Sequence, residues 1–368
     1  MNIKRNILLN PGPATTTDTV KLAQIVPDIC PREHEFGELM RTLGADLLKV
    51  VHADPADWAT VLFCGSGTIA MDACISSLVP ADGKLLIVNN GAYSARAVAM
   101  ARAYSVPHID LTFPVDGQPD LAEVERTLNE NPDITAVYTT HQETGTGILN
   151  PVREIGALAH AHGATMIADT ISTYAMIPFA VDDMNMDVCM SSAQKGIQGM
   201  TGLSFVIAKK SVLEAAKNYP VRSYYTNLIM QHMGFEDTGE MRFTPPVQTV
   251  YAAKRALAEY FAEGEAKKWV RHTRTIEAIH EGLARLGLKE AIPREIQSGL
   301  VVAVEYPANF DFARVHDYCY ERGYTIYPGK MQSASTFRLC ALGAIDEADI
   351  AGFFCVFKEA LINSALPS

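Results

Sequence analysis

The sequence contains no stretch of about 18 consecutive apolar residues, the length a membrane-spanning helix needs. Its one N-terminal apolar run, Ile7-Leu8-Leu9, is too short for a signal peptide. The chain is therefore read as soluble and cytoplasmic. It has no C-x-x-C pair, and its seven cysteines (Cys30, Cys64, Cys74, Cys189, Cys319, Cys340, Cys355) are scattered and odd in number. That pattern argues against a zinc site or a disulfide framework and for reduced, buried thiols. Basic residues are outnumbered, 31 to 42, giving a net charge of -11, and no basic run or aromatic-basic stripe stands out. Nucleic acid is thus not an expected partner. An anionic substrate stays open, because a few local arginines outweigh a global field. No internal repeat or low-complexity segment is present.

What the sequence does hold is an alternation of short apolar runs and helical stretches. With 368 residues it has room for two or three domains, or for one large α/β domain and a smaller one. From residue 59 the apolar runs 59–64, 84–89, 106–111, 135–140, 164–168, 188–191 and 203–208 read as strands. Helices are expected between them at 68–78, 92–104, 120–129 and 151–162. Strands alternating with helices imply right-handed crossovers and a mainly parallel sheet. The runs are continuous rather than alternating, as expected of strands buried on both faces. Before this rhythm, 27–37 reads as irregular and 38–51 as a helix. After it, 219–250 reads as loop-rich, with long helices at 248–263 and 269–286. The tail, 297–368, reads as strand, helix, strand, helix, a second and smaller α/β unit.

In such sheets ligands bind beyond the carboxyl ends of the strands. Gly65-Ser66-Gly67-Thr68 follows the first strand and opens a helix, where backbone amides and hydroxyls can cradle a phosphate. It is not a dinucleotide fingerprint, since Ala70 stands where the third glycine belongs. Tyr93 lies one turn into the next helix and could stack on a flat ring. The polar loop 141–147 carries Thr144. Asp169 ends a strand and could hold a proton on a pyridine nitrogen, making the ring an electron sink. Lys195 follows Ser191, Ser192 and Ala193, small neighbours that leave room for a flat cofactor beside its amine. Each residue alone has a plainer reading: a capped turn, a core tyrosine, a helix-capping aspartate, a surface lysine. Five coincidences at five strand ends describe a pyridoxal phosphate site.

The stretches LLNPGPATT (8–16), PREHEF (31–36), GSGTIAMDA (65–73), NNGAYSAR (89–96), HQETGTGILNPV (141–152), ADTIS (168–172), SSAQKGIQG (191–199), RFTPPV (242–247) and YPGKMQSASTFRL (327–339) resemble class V aminotransferases. Within that family, PGPATTT, YPGK and the FRL strand look most like members acting on 2-aminoethylphosphonate. The resemblance implies an aspartate-aminotransferase-like α/β fold. Its large domain (21–250) would carry a mainly parallel seven-stranded sheet sandwiched by helices. An N-terminal arm (1–20) and a smaller C-terminal α/β domain (251–368) would complete it. It implies pyridoxal 5'-phosphate as cofactor, Lys195 as the Schiff-base lysine and Asp169 as partner of the pyridine nitrogen. Ser66, Gly67 and Thr68 would hold the phosphate, with Gln194 beside it or near the ring oxygen and Thr144 near the ring hydroxyl. Thr244 would reach the cofactor phosphate of a second subunit, making a homodimer with shared sites. Arg338 matches the substrate-anion arginine, with Arg32 and Lys330 as further cations for a phosphonate. Tyr93 departs from the tryptophan common among relatives.

The implied activity is transamination between 2-aminoethylphosphonate and an oxo-acid, pyruvate first among them. Alternatives within the chemistry are an alanine– or serine–glyoxylate aminotransferase and a desulfurase-type lyase, the latter needing an exposed cysteine that Cys340 is not expected to be. A cofactor-binding protein without turnover is the alternative from another class. No metal is implied.

Overall fold

The computed structural model describes residues 3–329 and 335–364. The chain enters through β1 (Ile7–Leu8) and the Pro11-Gly12-Pro13 turn into α1 (Asp18–Leu22), whose first turn is capped by Thr17 Oγ1 accepting from Val20 N. Helix α2 (His34–Val50) begins four residues before the expected Glu38. The physical reason is its buried stripe, Phe36, Met40, Leu43 and Leu47, whose helical spacing starts at Phe36. The alternation then runs β2 (Trp58–Cys64), α3 (Gly67–Ser77), β3 (Lys84–Asn89), α4 (Ala92–Ala103), β4 (His108–Thr112), α5 (Leu121–Glu130) and β5 (Ile134–Thr140). A small hairpin, β6 (Gln142–Glu143) and β7 (Ile148–Leu149), leads to α6 (Val152–Ala161), β8 (Thr165–Asp169), β9 (Val188–Ser192) and β10 (Leu203–Lys209).

These strands form a seven-stranded sheet in the order β2-β10-β9-β8-β5-β3-β4. Strand β10 is antiparallel to both neighbours, and the other six point one way. Because β10 runs backwards, the segment 193–202 joining β9 to it lies at the same edge as the carboxyl ends of the rest. That places Lys195 where the ligand crevice of a parallel sheet forms.

Alternate residues feed two separate cores. Leu62, Leu86, Val137 and Met166 join Leu43, Leu128, Ile155 and Leu257 on one face. Val61, Leu85, Tyr138 and Ile167 join Met71, Val98, Leu213 and Leu228 on the other. Burial on both faces is why the strands read as unbroken apolar runs.

Helix α7 (Lys210–Ala215) and α8 (Leu228–Thr238) follow β10. Helix α8 falls inside the stretch expected to be loop. Its ends are nonetheless written in the sequence: Asn227 accepts from Met230 N at 2.8 Å, and Gly239 closes the helix at φ 73°. Then come α9 (Val247–Glu263), α10 (Glu265–Arg285), β11 (Val301–Glu305), α11 (Phe312–Glu321), β12 (Tyr324–Thr325), β13 (Tyr327–Pro328), β14 (Thr336–Cys340) and α12 (Glu347–Ser364). Strands β11, β14 and β13 make a small antiparallel sheet. Ile279, Val315 and Phe353, from α10, α11 and α12, pack against it. Strand β1 pairs in parallel with β12, tying the start of the chain to this region.

Among the described residues no helix is long and apolar enough to cross a membrane. Cys30 and Cys355 are exposed, against the expectation of buried thiols: Cys30 lies in the irregular stretch before α2, and Cys355, though inside the apolar run 353–357, falls on the solvent side of α12 while Phe353 and Phe357 face the core.

Candidate active site

A cleft opens along the carboxyl edge of the large sheet, and each wall of it comes from a different strand end. Ser66, Gly67 and Thr68 follow β2 and begin α3. Tyr93 and Arg96 stand on the first turns of α4, after β3. Thr140, Gln142 and Thr144 follow β5, and Asp169 ends β8. Gln194 and Lys195 follow β9, and Thr201 precedes the reversed β10. The roof is the N-terminal turn, Gly12 and Pro13. A second cavity, between α9 and α10, is lined by Glu263 and Arg271, which already pair with each other. It reaches the 193–202 segment at Ile197 and Gln198, but none of the strand-end residues expected to hold a cofactor lines it.

Lys195 is half-buried, and its ammonium donates to the Pro11 carbonyl. Burial pulls its pKa down to about 8, with the positive charges of Arg338 and Arg96 acting in the same direction. Asp169 is buried. Its Oδ1 accepts from Ile171 N at 2.9 Å and its Oδ2 from the Tyr138 hydroxyl at 3.1 Å. Burial nonetheless pushes its pKa up to about 6. Tyr138 reads in the sequence as one more apolar strand residue. Its role as a partner of Asp169 follows from β5 and β8 being neighbours in the sheet.

The side-chain oxygens of Thr140, Gln142 and Gln194 are buried and have no protein hydrogen-bond partner. A buried polar atom left unpaired costs roughly 1–3 kcal/mol, so these three stand ready to meet a polar ligand in the cleft. Together with the open amides of the α3 N-terminus, a single amine and a buried carboxylate, this donor set fits a flat phosphorylated aldehyde whose ring carries a basic nitrogen.

Besides Lys195 and Asp169, seven further residues are expected at the cofactor. Ser66, Gly67, Thr68, Tyr93, Thr144 and Gln194 line the cleft with Lys195 and Asp169. Thr244 does not: it is exposed, outside this chain's own cleft. Arg338 lies behind the wall, 1% exposed, donating from Nε to Pro328 O and from Nη1 to Thr144 O, both at 3.1 Å. Arg32 is engaged elsewhere, by Glu240 at 2.8 Å and the Met241 carbonyl at 2.6 Å. Lys330 falls outside the described residues. His141, in the polar loop, is buried core: Nδ1 meets Thr173 Oγ1 at 2.9 Å, and burial lowers its pKa to about 4. Cys340 is fully buried on β14 and burial raises its thiol to about 12, which leaves no exposed nucleophilic thiol at this position.

Arg96 and Gly12 are among the cleft residues outside the expected set, with Pro13, Thr140, Gln142 and Thr201. Arg96 sits inside the quoted NNGAYSAR stretch, three residues after Tyr93 and hence on the same helix face. Gly12, flanked by Pro11 and Pro13 in a turn, has its backbone, at φ 128°, directly over the lysine. A Cβ there would stand 2.5 Å from Lys195 Nζ and 2.6 Å from its Cδ. Gly12→Ala is therefore expected to displace the lysine and to strain the turn by about 1–3 kcal/mol. The measurement is kcat/KM beside a thermal melt. Activity should fall by about tenfold or more, beyond what the drop in stability explains. Unchanged kcat/KM would remove Gly12 from the site.

The sequence profile Aminotransferase class-V matches residues 26–343. A protein of Lactiplantibacillus plantarum described as 2-aminoethylphosphonate–pyruvate transaminase is 36% identical over 349 residues, 94% of each chain. One of Lysinibacillus sphaericus with the same description is 34% identical over 357 residues, 96% of this chain and 97% of its own. Among solved structures, an alanine–glyoxylate aminotransferase from Nostoc sp. superposes with a TM-score of 0.89 at 24% identity, over 98% of this chain and 96% of that one, a likeness of fold. With a profile spanning most of its length and relatives this similar end to end, the chain belongs to the class V aminotransferase family.

Proposed function

We propose that this protein transfers an amino group between 2-aminoethylphosphonate and pyruvate, with pyridoxal phosphate as cofactor. The observation that carries the reading is the cleft itself. One amine, one buried carboxylate, a helix N-terminus and three unpaired buried oxygens converge there from separate strand ends. The substrates follow from the end-to-end similarity to proteins described as 2-aminoethylphosphonate–pyruvate transaminases.

Ser66, Gly67 and Thr68 would hold the cofactor's phosphate, Tyr93 would cover a ring face, and Thr144 and Gln194 would meet ring oxygens. Bound pyridoxal phosphate supplies an aldehyde that accepts the amino group and a ring that withdraws electrons from the substrate carbon. Lys195 Nζ would hold the aldehyde and, when free, would carry a proton at the substrate carbon. An amine with a pKa of about 8 holds or gives up a proton readily near neutral pH. Asp169 would keep the ring nitrogen protonated. The Pro11-Gly12-Pro13 roof keeps water from the amine. Arg338 binds the substrate's anionic end, its guanidinium being buried with carbonyls as its partners and no ion pair among the described residues.

A homodimer with shared sites is part of the same proposal. Thr244 is exposed on the segment next to a solvent-facing aromatic cluster of Tyr224, Tyr225 and Phe243, with Tyr224 74% exposed and nearby Val221 69%. Contiguous apolar exposure of this kind marks an interaction surface.

The test uses the purified protein loaded with pyridoxal phosphate and follows its absorbance on adding 2-aminoethylphosphonate, then pyruvate. The expected result is a spectral change with the first, reversal with the second, and alanine as product. A spectrum that answers to alanine and glyoxylate but not to 2-aminoethylphosphonate would overturn the substrate assignment.

A further inference from the structure

Arg96 is a cation inside the cleft for which the family resemblance supplied no role. It stands on α4, and its Nη1 donates to Thr68 Oγ1 at 3.1 Å. Its guanidinium carbon lies 4.8 Å from the centre of the Tyr93 ring. Among the described residues no carboxylate forms an ion pair with it. A cation in a partly buried cleft with no anion beside it is poised for one that arrives as a ligand.

Which anion is decided by two geometric facts. The guanidinium covers one face of Tyr93, so a flat ring can stack only on the opposite face. Its bond to Thr68 Oγ1 sets the Arg96 guanidinium beside the start of α3. Second, an arginine only donates, so Thr68 Oγ1 is the acceptor of this bond and its own hydrogen is turned elsewhere. Thr68 is the second residue of α3, where unpaired amides and the helix dipole already favour an anion.

Resting on the pyridoxal phosphate reading, we propose that Arg96 is the positioning residue of the phosphate end of the cleft. It fixes the Thr68 hydroxyl as a donor to the cofactor's phosphate and adds a full positive charge to a cradle otherwise made of amides and hydroxyls. Arg96, and not Arg32, thus accounts for a cation within the cleft, and it serves the cofactor rather than the substrate.

The experiment compares equilibrium binding of pyridoxal phosphate and of pyridoxal, which lacks the phosphate, to the apoprotein and to its Arg96→Met and Arg96→Lys variants. Absorbance and thermal shift are the readouts. Loss of a charge-assisted contact should weaken pyridoxal phosphate binding by about tenfold or more in Arg96→Met, with pyridoxal changed less than about twofold. Arg96→Lys should recover part of the loss. Thr68→Val should show the same phosphate-selective loss, and combining it with Arg96→Met should add little, as for two residues acting as a unit. Thr68→Val also keeps the test available if Arg96→Met does not fold. Equal losses for both ligands, or no loss, would overturn the proposal. So would a raised KM for 2-aminoethylphosphonate with cofactor affinity unchanged, which would assign the charge to the substrate. If the unaltered protein binds neither ligand, it is the pyridoxal phosphate reading that fails. If it prefers pyridoxal phosphate and the variants keep that preference, only the role of Arg96 fails.

Discussion

Lys195→Ala should abolish transamination. The expected loss is at least about 10⁴-fold, the upper end of what a proton-transferring group contributes, because the same amine also anchors the cofactor. The structural basis is the environment of Nζ. It lies beneath the Pro11-Gly12-Pro13 roof, donates to the Pro11 carbonyl, and has its pKa drawn down to about 8 by burial. At pH 7.5 roughly a quarter of such amines are neutral, against about one in a thousand for an ordinary lysine, so the nucleophile is present without a partner base. Two readouts separate chemistry from folding. Borohydride treatment of the loaded protein should fix a pyridoxyl mass on the peptide holding Lys195, and no equivalent mass should be found in the alanine variant. The rate at which apoprotein captures pyridoxal phosphate should rise with pH through about 8, since the charged form cannot attack. Residual turnover in Lys195→Ala at more than about one part in 10³ would overturn its role.

The parts of this site that could be read from the sequence are those with a local signature. Strands buried on both faces are continuous apolar runs, so their ends could be found, and with them Ser66, Thr68, Tyr93, Asp169 and Lys195. What could not be read depends on which strands become neighbours. Tyr138 reaches Asp169 because β5 and β8 are adjacent. Arg32 is held by Glu240, 208 residues away, a partner that no local pattern announces. Gly12 covers Lys195 because the N-terminal turn folds back across the sheet edge, where Ala14 N donates to Gln194 O at 2.8 Å. Helix α8 is hard to see in the sequence for a different reason. It buries Leu228, Ile229 and Gln231 while leaving Met230 and Met233 exposed, so its apolar residues do not fall on one stripe. Its capping residues were the better signal.

Asp169→Asn should cost activity and improve stability at once. In the cofactor-free protein Asp169 is buried, with its folded pKa raised to about 6 from an ordinary 3.8. Between those two values the folded state binds more protons than the unfolded one, so stability falls as pH rises through that window, and above about 6 the whole cost is carried. A shift of this size corresponds to about 3 kcal/mol, as an order of magnitude. Asparagine removes the charge and keeps the bonds: its oxygen still accepts from Ile171 N, and the Tyr138 hydroxyl turns to accept from the amide. The variant apoprotein should therefore melt at a higher temperature than the parent at pH 8, and the difference should vanish at pH 4. Transamination should fall by about 10²–10³-fold, the usual effect of removing a preorganised charge from the group it stabilises. Loading with pyridoxal phosphate should stabilise the parent more than the variant, because a protonated ring nitrogen beside Asp169 relieves the cost of its buried charge and an amide has no such cost to relieve. An apoprotein destabilised by the substitution at pH 8 would show that Asp169 is held as a structural cap. An active variant would show that the ring nitrogen finds its proton elsewhere.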